Sequence, residues 1–154
     1  MTFEYIRDQM HHVFYETPWY GEGIMTKLKS LPAEIANENI AIIGYTVGRY
    51  LRHMLAWREY ALGYLRGEDV PEIPLDSPHD WPEGKESLAQ LLLQLEESQE
   101  TLLDELSKAL PESFKTKYHP ESPYTLGELM QGVIYHDIYH LGQIALLIRL
   151  REEQ

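Results

Sequence analysis

The sequence contains no cysteine among its 154 residues. Disulfide bonds, thiolate metal ligands and a cysteine nucleophile are therefore excluded. The absence is also compatible with a reducing compartment, in which disulfides do not persist.

Basic residues are scarce. Lysine and arginine together number 13, against 25 aspartates and glutamates, and the formal net charge is -12. Proteins that bind nucleic acid or anionic membrane surfaces use clustered Lys and Arg side chains. We therefore expect neither nucleic acid nor a membrane as a partner.

Long apolar runs are absent as well. No stretch reaches the length of about 18 uncharged apolar residues that a membrane span requires. Glu4, Arg7 and Asp8 occupy the region in which a signal peptide would need an apolar segment. From the sequence we expect a soluble protein located in the cytoplasm.

The composition is typical of one globular domain over residues 1–154, with 44% hydrophobic and 25% charged residues. Proline and glycine concentrate in three segments, residues 17–23, 67–84 and 119–123. The segments between them have helical periodicity, and strand-like alternation extends over no useful length. The pattern predicts an all-α protein in which helices are joined by loops.

A short helical piece is predicted around residues 24–29, and four amphipathic helices over residues 2–15, 39–66, 87–110 and 126–151. Asn39 is the expected N-cap of the second of these helices. The third and fourth open with capping boxes, formed by Ser87 with Gln90 and by Thr125 with Glu128. Four such helices predict a four-helix bundle.

The fourth predicted helix places two histidines, His136 and His140, on its inward face. At about 100° per residue, seven side chains fall within an arc of roughly 80°: Leu126, Leu129, Val133, His136, His140, Ile144 and Leu147. A pair at i, i+4 brings two imidazoles about 6 Å apart on one side of a helix, close enough to share an ion. The alternative is that each ring bonds a carbonyl or water, as a single core histidine usually does.

A third ligand would have to come from another helix, and His53 is the candidate. It lies in the middle of the inward face of the second predicted helix, which reads Ile42, Ile43, Thr46, Tyr50, His53, Trp57, Ala61 and Tyr64. The alternative is a buried histidine that bonds a neighbour such as Tyr50. Three inward histidines on two helices favour a site for one divalent metal ion. His79 and His119 lie in proline-rich loops, where we expect them to face solvent.

The segment RHMLAWREYALGYLRG, residues 52–67, and the segment YTLGELMQGVIYHDIYHLGQIALLIRL, residues 124–150, resemble two motifs of the DinB/YfiT-like superfamily. The first is similar to the second-helix motif, in which His is followed by Trp-Arg, and the second to the last helix with its H-x-x-x-H-x-G-Q signature. TPWYGEG and DWPEGKESL also resemble family segments, so the resemblance covers nearly the whole chain.

This resemblance implies an up-down four-helix bundle, commonly homodimeric, with a three-histidine centre. The implied ion is zinc, nickel or a similar divalent metal, with iron, manganese and cobalt as further candidates. Carried over, His53, His136 and His140 are the three metal ligands. Characterised relatives include transferases that use a low-molecular-weight thiol and a thiol-dependent isomerase. A homodimer is also suggested by a second apolar side of the second helix, which carries Leu51, Leu55 and Leu62.

Three neutral imidazoles leave a coordination position open, and a divalent ion there would lower the pKa of a bound water or thiol toward neutrality. We expect a metal-dependent transferase that moves a low-molecular-weight thiol onto a small-molecule electrophile. The sequence assigns no catalytic residue. Tyr50, Trp57 and Gln143 are the candidates for substrate contact, because they lie beside the histidines on their helix faces. Asp137 and Tyr139, on the flanks, could orient the imidazoles.

Two other functions stay open: a metal-dependent hydrolase of a small amide or ester, and a metal-binding, stress-associated protein without catalysis. A zincin-type protease is disfavoured because Asp137 stands where those enzymes have Glu. A di-iron carboxylate centre is disfavoured because no histidine has a Glu three residues before it. A bis-histidine haem is disfavoured because an i, i+4 pair cannot supply both axial ligands.

Overall fold

The computed structural model describes residues 1–40 and 44–153, and its regular structure is helical. Two 3-10 turns, Ala33–Asn37 and Pro111–Lys115, lie between helices, and one antiparallel bridge pairs Lys117 with Thr125. Five α-helices follow one another along the chain: α1 (Phe3–Tyr15), α2 (Ile24–Lys29), α3 (Val47–Leu65), α4 (Leu88–Lys108) and α5 (Leu126–Glu152).

Helices α1, α4 and α5 begin and end within two residues of their predicted bounds. Both predicted capping boxes are present at the starts of α4 and α5. The hydroxyl of Ser87 accepts a hydrogen bond from the Gln90 N–H, and that of Thr125 accepts one from the Glu128 N–H. The Gln90 and Glu128 side chains in turn accept from the backbone N–H groups of the two cap residues. These local bonds explain why the bounds are readable from the sequence.

The predicted start of the second long helix was wrong. Helix α3 begins at Val47, and its N-cap is Thr46 rather than Asn39. Thr46 has extended backbone angles, and its hydroxyl accepts a hydrogen bond from the Arg49 N–H at 3.1 Å. A threonine side chain that satisfies a free N–H of the first turn defines a helix start.

The residues just before this cap are not helical. Ile40 is buried in the core, and Gly44 has a φ of 67°, in the left-handed region that interrupts a right-handed helix. Ile40 therefore continues the apolar spacing upstream of α3 from a position that is not helical. The predicted inward residues Ile42 and Ile43 lie outside the described residues.

The four long helices are neighbours in the order α1, α4, α3, α5 and back to α1, with a common apolar core between them. Leu51 and Leu62 of α3 are buried in that core, and Leu55 packs partly against it. The side chains that suggested a second contact face are thus covered by the chain's own helices. Among the described helices, none combines the length and the hydropathy that a membrane crossing requires.

Candidate metal centre

Three histidines meet between α3 and α5. His53 lies on α3, and His136 and His140 lie one turn apart on α5. The Nε2 atom of His136 is 3.0 Å from the Nε2 of His53 and 3.1 Å from the Nε2 of His140. One ligand atom from each of the three lies within 4.8 Å of the others. The two helix segments that the sequence singled out therefore converge on one point.

Asp80, in the loop between α3 and α4, fixes the ring of His53. The Nδ1–H of His53 donates to the backbone carbonyl of Asp80 at 2.6 Å, and Oδ1 of Asp80 is 3.1 Å from the same nitrogen. The Asp80 carboxylate also accepts from the indole N–H of Trp57 and from the backbone N–H of Asp76, both at 2.8 Å. Because a carbonyl oxygen can only accept, Nδ1 of His53 carries a proton, and in the neutral imidazole the lone pair is then on Nε2.

Gln143 fixes the ring of His140 in the same way. The Nδ1–H of His140 donates to Oε1 of Gln143 at 2.5 Å, and Nε2 of Gln143 donates to the hydroxyl of Tyr139 at 3.2 Å. The Nε2 of His140 is therefore a second fixed acceptor. Tyr139, predicted to orient an imidazole, packs edge-on against the ring of His140, with centroids 5.0 Å apart, and its hydroxyl contacts Gln143.

The three Nε2 atoms form a set of nitrogen ligands that fits a divalent cation. With all three rings neutral, as metal ligands must be, two of these atoms are acceptors, and at most one proton, on Nε2 of His136, is available to the three facing nitrogens. Lone pairs held this close repel each other unless a positive charge lies among them. Zinc–nitrogen bonds of about 2.0–2.1 Å in tetrahedral geometry place ligand nitrogens roughly 3.3 Å apart. The observed spacing is close to that value, so the residues present could hold one ion through three nitrogen ligands.

Burial keeps two of the imidazoles neutral. Burial, and then the neighbouring His140 and His53, lower the pKa of His136 to about 3. Burial, and then His53, lower the pKa of His140 to about 4. A histidine must be neutral to coordinate a metal ion, so these two need not lose a proton first at neutral pH.

Aromatic rings surround the cluster. The ring of Trp81 stacks on that of His53, with centroids 3.8 Å apart and an interplanar angle of 7°. The ring of Tyr50 lies 5.6 Å from that of His140, and the ring of Trp57 lies 6.0 Å from that of His136. A shell of this kind limits the access of water and lowers the local dielectric constant, which strengthens the binding of an ion.

The three residues predicted to contact substrate, Tyr50, Trp57 and Gln143, all lie beside the histidine cluster, but they have different roles. Tyr50 is buried beside His140, and Trp57 is half-buried and bonded to Asp80. Gln143 orients the His140 ring, so it is a positioning residue for a candidate ligand. Contact of any of the three with a substrate stays a prediction.

Asp137 does not orient an imidazole, contrary to the sequence prediction. Its side chain is only 2% exposed, and its Oδ2 accepts from Nε and Nη2 of Arg58 at 3.0 and 2.6 Å. Nη1 of Arg58 donates to Oε1 of Gln99 at 3.1 Å. Helix α5 is thus rotated so that Asp137 enters the core, while His136 is half-buried at its edge.

Three residues of the site and its support, Asp80, Trp81 and Arg58, are not predicted from the sequence pattern. Loop residues carry no helical periodicity, and only the resemblance of the segment DWPEGKESL, which begins with Asp80 and Trp81, pointed to them. Arg58 was embedded in the second-helix motif. Its burial in the core is understandable only once the structure shows the ion pair that it forms with Asp137.

Fold and site together define a class: an all-helical protein in which three histidines from two long helices could hold a metal ion. The family comparison agrees. The DinB superfamily model matches residues 25–144, a range that includes all three histidines, and the chain belongs to this superfamily. No curated protein and no solved structure matches the chain significantly.

Proposed function

We propose that this protein is a metal-dependent enzyme that transfers a low-molecular-weight thiol to a small electrophile, using one divalent ion held by His53, His136 and His140. The observation that carries the proposal is the convergence of three Nε2 atoms, two of them fixed as acceptors by bonds at Nδ1. Zinc and nickel are the first candidates for the ion. Membership of the DinB superfamily supports a metal-binding role.

The scaffold we propose is an up-down four-helix bundle. Each long helix has two long neighbours, in the cyclic order α1, α4, α3, α5, as the corners of a four-helix bundle do. His53 on α3 and the histidine pair on α5 then project from adjacent corners. In this scaffold the centre lies at the contact between α3 and α5, and His136 also lines a pocket through which a substrate would enter.

A divalent ion with three protein ligands has an open coordination position, at which it lowers the pKa of a bound thiol or water. The protein's own residues favour the thiol. Hydrolysis of an amide also needs a proton for the leaving amine. The carboxyl groups of Asp80 and Asp137 are already engaged, the first with His53, Trp57 and Asp76 and the second with Arg58.

The proposed reaction forms one carbon–sulfur bond and breaks two bonds, the sulfur–hydrogen bond of the thiol and the bond between carbon and the leaving group. The thiol sulfur forms a bond to an electrophilic carbon of the substrate, and the leaving group departs with the electron pair of its bond to that carbon. The thiol proton passes to solvent. The chain's contribution is to keep His53 and His140 in the required tautomers, through Asp80 and Gln143, and to hold water away with Trp81 and its aromatic neighbours.

Elemental analysis of purified protein, combined with a thiol-transfer assay, tests the proposal. The assay uses L-cysteine and monochlorobimane, in which a carbon–sulfur bond replaces a carbon–chlorine bond. We expect about one ion per chain in the wild type, and loss of both metal and turnover in His53→Ala and in His136→Ala. His11→Ala is the matched control: His11 is exposed on α1 and contacts Glu16, outside the cluster. Unchanged metal content in His53→Ala would contradict the proposed centre.

The same preparations separate the alternative functions. Bound metal with hydrolysis of 4-nitrophenyl acetate, and without thiol transfer, would replace the transferase by a hydrolase. Bound metal without either activity, together with a large loss of thermal stability on chelation, would favour a non-catalytic metal-binding protein. The homodimer and the cytoplasmic location stay predictions.

A further inference from the structure

A pocket of about 460 Å³ opens beside His136 and is walled by aromatic side chains. Four aromatic rings line it: Trp57, Tyr118, Tyr124 and Tyr135. Leu129 and Val133 of α5 add aliphatic surface. Because His136 is both a wall of this pocket and a candidate metal ligand, a molecule in the pocket lies next to the centre.

The mouth of the pocket is formed by apolar rings that face solvent. Tyr124 is 58% exposed and Tyr135 is 60% exposed, whereas Trp57 and Tyr118 are half-buried deeper in the wall. Exposed aromatic side chains grouped around a concave site are typical of a binding surface. A cavity of about 150 Å³ already accommodates benzene, so this pocket has room for a substituted ring.

The polar groups in the lining select against negative charge. Among the described residues that line the pocket, none is Lys or Arg. Glu128 is one of them, and the bonds its carboxylate accepts from the N–H and hydroxyl of Thr125 lower its pKa, so it is an anion at neutral pH. The amide of Gln131 donates to the Tyr135 hydroxyl at 2.7 Å. In the metal-free protein, an anionic group entering here would meet a carboxylate and no cationic side chain.

We propose that this pocket binds an uncharged aromatic or short aliphatic group of the substrate and that its walls disfavour carboxylates and phosphates. In the proposed function this group belongs to the electrophile, whose reactive carbon then lies beside His136. The inference rests on the proposed function for its biological meaning. Binding itself depends only on the pocket walls and can be measured without metal.

Gly132 keeps the pocket open. It lies on α5 one turn before His136, it lines the pocket, and a Cβ placed on it would meet no atom within 4 Å. A larger side chain at this position would extend into the free volume without disturbing the packed core. Since glycine is unfavourable inside a helix, such a substitution also raises the helical propensity of α5.

Gly142 offers a matched control. It lies on the same helix and is exposed, a Cβ placed on it would likewise meet no atom within 4 Å, and it does not line the pocket. Gly132→Leu and Gly142→Leu therefore make the same chemical change to α5. Only the first of them fills the pocket.

Ligand-observed NMR titration of metal-free and metal-loaded protein tests the inference with three probes of similar shape: benzyl alcohol, benzylamine and benzoate. In metal-free protein we expect benzyl alcohol to bind at least as well as the benzylammonium ion, and roughly tenfold or more tightly than benzoate. We expect Gly132→Leu to weaken benzyl alcohol binding by about tenfold or more, and Gly142→Leu to change it by less than about twofold.

Several outcomes would overturn the inference. These are equal binding of benzoate in metal-free protein, a preference of about tenfold or more for the cation, or equal effects of the two leucine substitutions. Dissociation of a dimer by Gly132→Leu, seen by analytical ultracentrifugation, would instead assign the rings to a subunit interface. If the protein proves to hold no metal and still binds benzyl alcohol, the pocket assignment is supported although the proposed function is wrong.

A second variant covers the case in which Gly132→Leu fails to fold. Tyr135→Ser removes one exposed ring from the mouth of the pocket and leaves the core intact. We expect it to weaken benzyl alcohol binding by about threefold or more, because one aromatic contact is lost. Unchanged binding in this variant would contradict the assignment of the pocket.

Discussion

Asp80 contacts His53 with two oxygen atoms of different kinds. Its backbone carbonyl accepts the Nδ1–H bond at 2.6 Å, and its carboxylate oxygen lies 3.1 Å from the same nitrogen. A carboxylate behind a ligating imidazole fixes the tautomer and raises the basicity of the nitrogen that faces the ion. The backbone contact survives substitution of the side chain, so the two contributions can be separated.

Replacing Asp80 by Asn should weaken metal binding without abolishing it. We expect the affinity for a divalent ion to fall by about 10–100-fold, because the negative charge behind His53 is lost while the backbone contact remains. Competition against a chromogenic chelator measures the affinity. Glu83→Gln is the control, since Glu83 is exposed in the same loop. Equal affinities in the two variants would show that the Asp80 carboxylate does not act on His53.

The neutral state of His136 and His140 makes the stability of the metal-free protein depend on pH. In the unfolded chain, His136 and His140 take up protons as the pH falls through 6.5, whereas in the folded protein they stay neutral until about 3 and about 4. The unfolded state therefore binds more protons in this interval, and the free energy of unfolding decreases as the pH falls from about 6.5 toward 4. Above about 6.5 these two groups contribute no pH dependence.

Urea unfolding at about pH 7 and at about pH 5 measures this effect. We expect His136→Gln to lose less stability on acidification than the wild type, because one titrating group has been removed. His11→Gln is the control substitution, since that ring is exposed on α1, outside the cluster. Parallel losses in the wild type and in His136→Gln would mean that His136 is not held neutral by its surroundings.

For single residues, helical periodicity in the sequence predicted which side chains face the core. His136 and His140 stood out because two polar rings interrupt an apolar stripe at i, i+4. The function of Asp80 was not predictable in this way, because loop residues have no periodic neighbours that reveal their direction. The predicted role of Asp137 was wrong because neighbouring residues of a helix point about 100° apart. A small rotation of α5 therefore decides whether this side chain lies on a flank or in the core.

Among the elements, α3 illustrates how a helix start depends on backbone hydrogen bonds more than on apolar pattern. Ile40 continues the apolar spacing upstream, but it is buried in a non-helical segment. The structure starts α3 where Thr46 can bond the Arg49 N–H. The starts of α4 and α5 were predictable because each carries a complete capping box, a signal read directly from two residues three positions apart.

Paired alanine substitutions check the start of α3. Thr46→Ala should reduce the free energy of unfolding by about 1 kcal/mol, because it removes the side chain that satisfies the Arg49 N–H. Asn39→Ala should have an effect within about 0.5 kcal/mol, as expected for an exposed residue that caps no helix. Urea unfolding measures both. A larger effect at Asn39 than at Thr46 would restore the longer helix.

On the scale of the whole molecule, a buried polar network joins all four long helices. Arg58 of α3 bonds Asp137 of α5 and Gln99 of α4, and Nε2 of Gln99 donates to the carbonyl of Met10 of α1 at 3.1 Å. The guanidinium also lies 4.9 Å from the ring centroid of Phe14 on α1. Because Asp137 follows His136 directly, this network fixes the rotation of α5 and with it the direction of the histidine pair.

A double-mutant cycle tests whether the network acts as a unit. Arg58→Met or Asp137→Leu alone should each reduce the free energy of unfolding by about 3–5 kcal/mol, since either leaves a buried charge without its partner. The double variant should be more stable than either single variant, because both charges are gone and similar volume is filled. Urea unfolding gives the coupling energy, and additive losses would contradict a buried ion pair.

The double variant keeps all three histidines. If the pair served only to neutralise its own charges, metal affinity would be unchanged in it, whereas a role in setting the rotation of α5 predicts weaker binding by the intact histidine cluster.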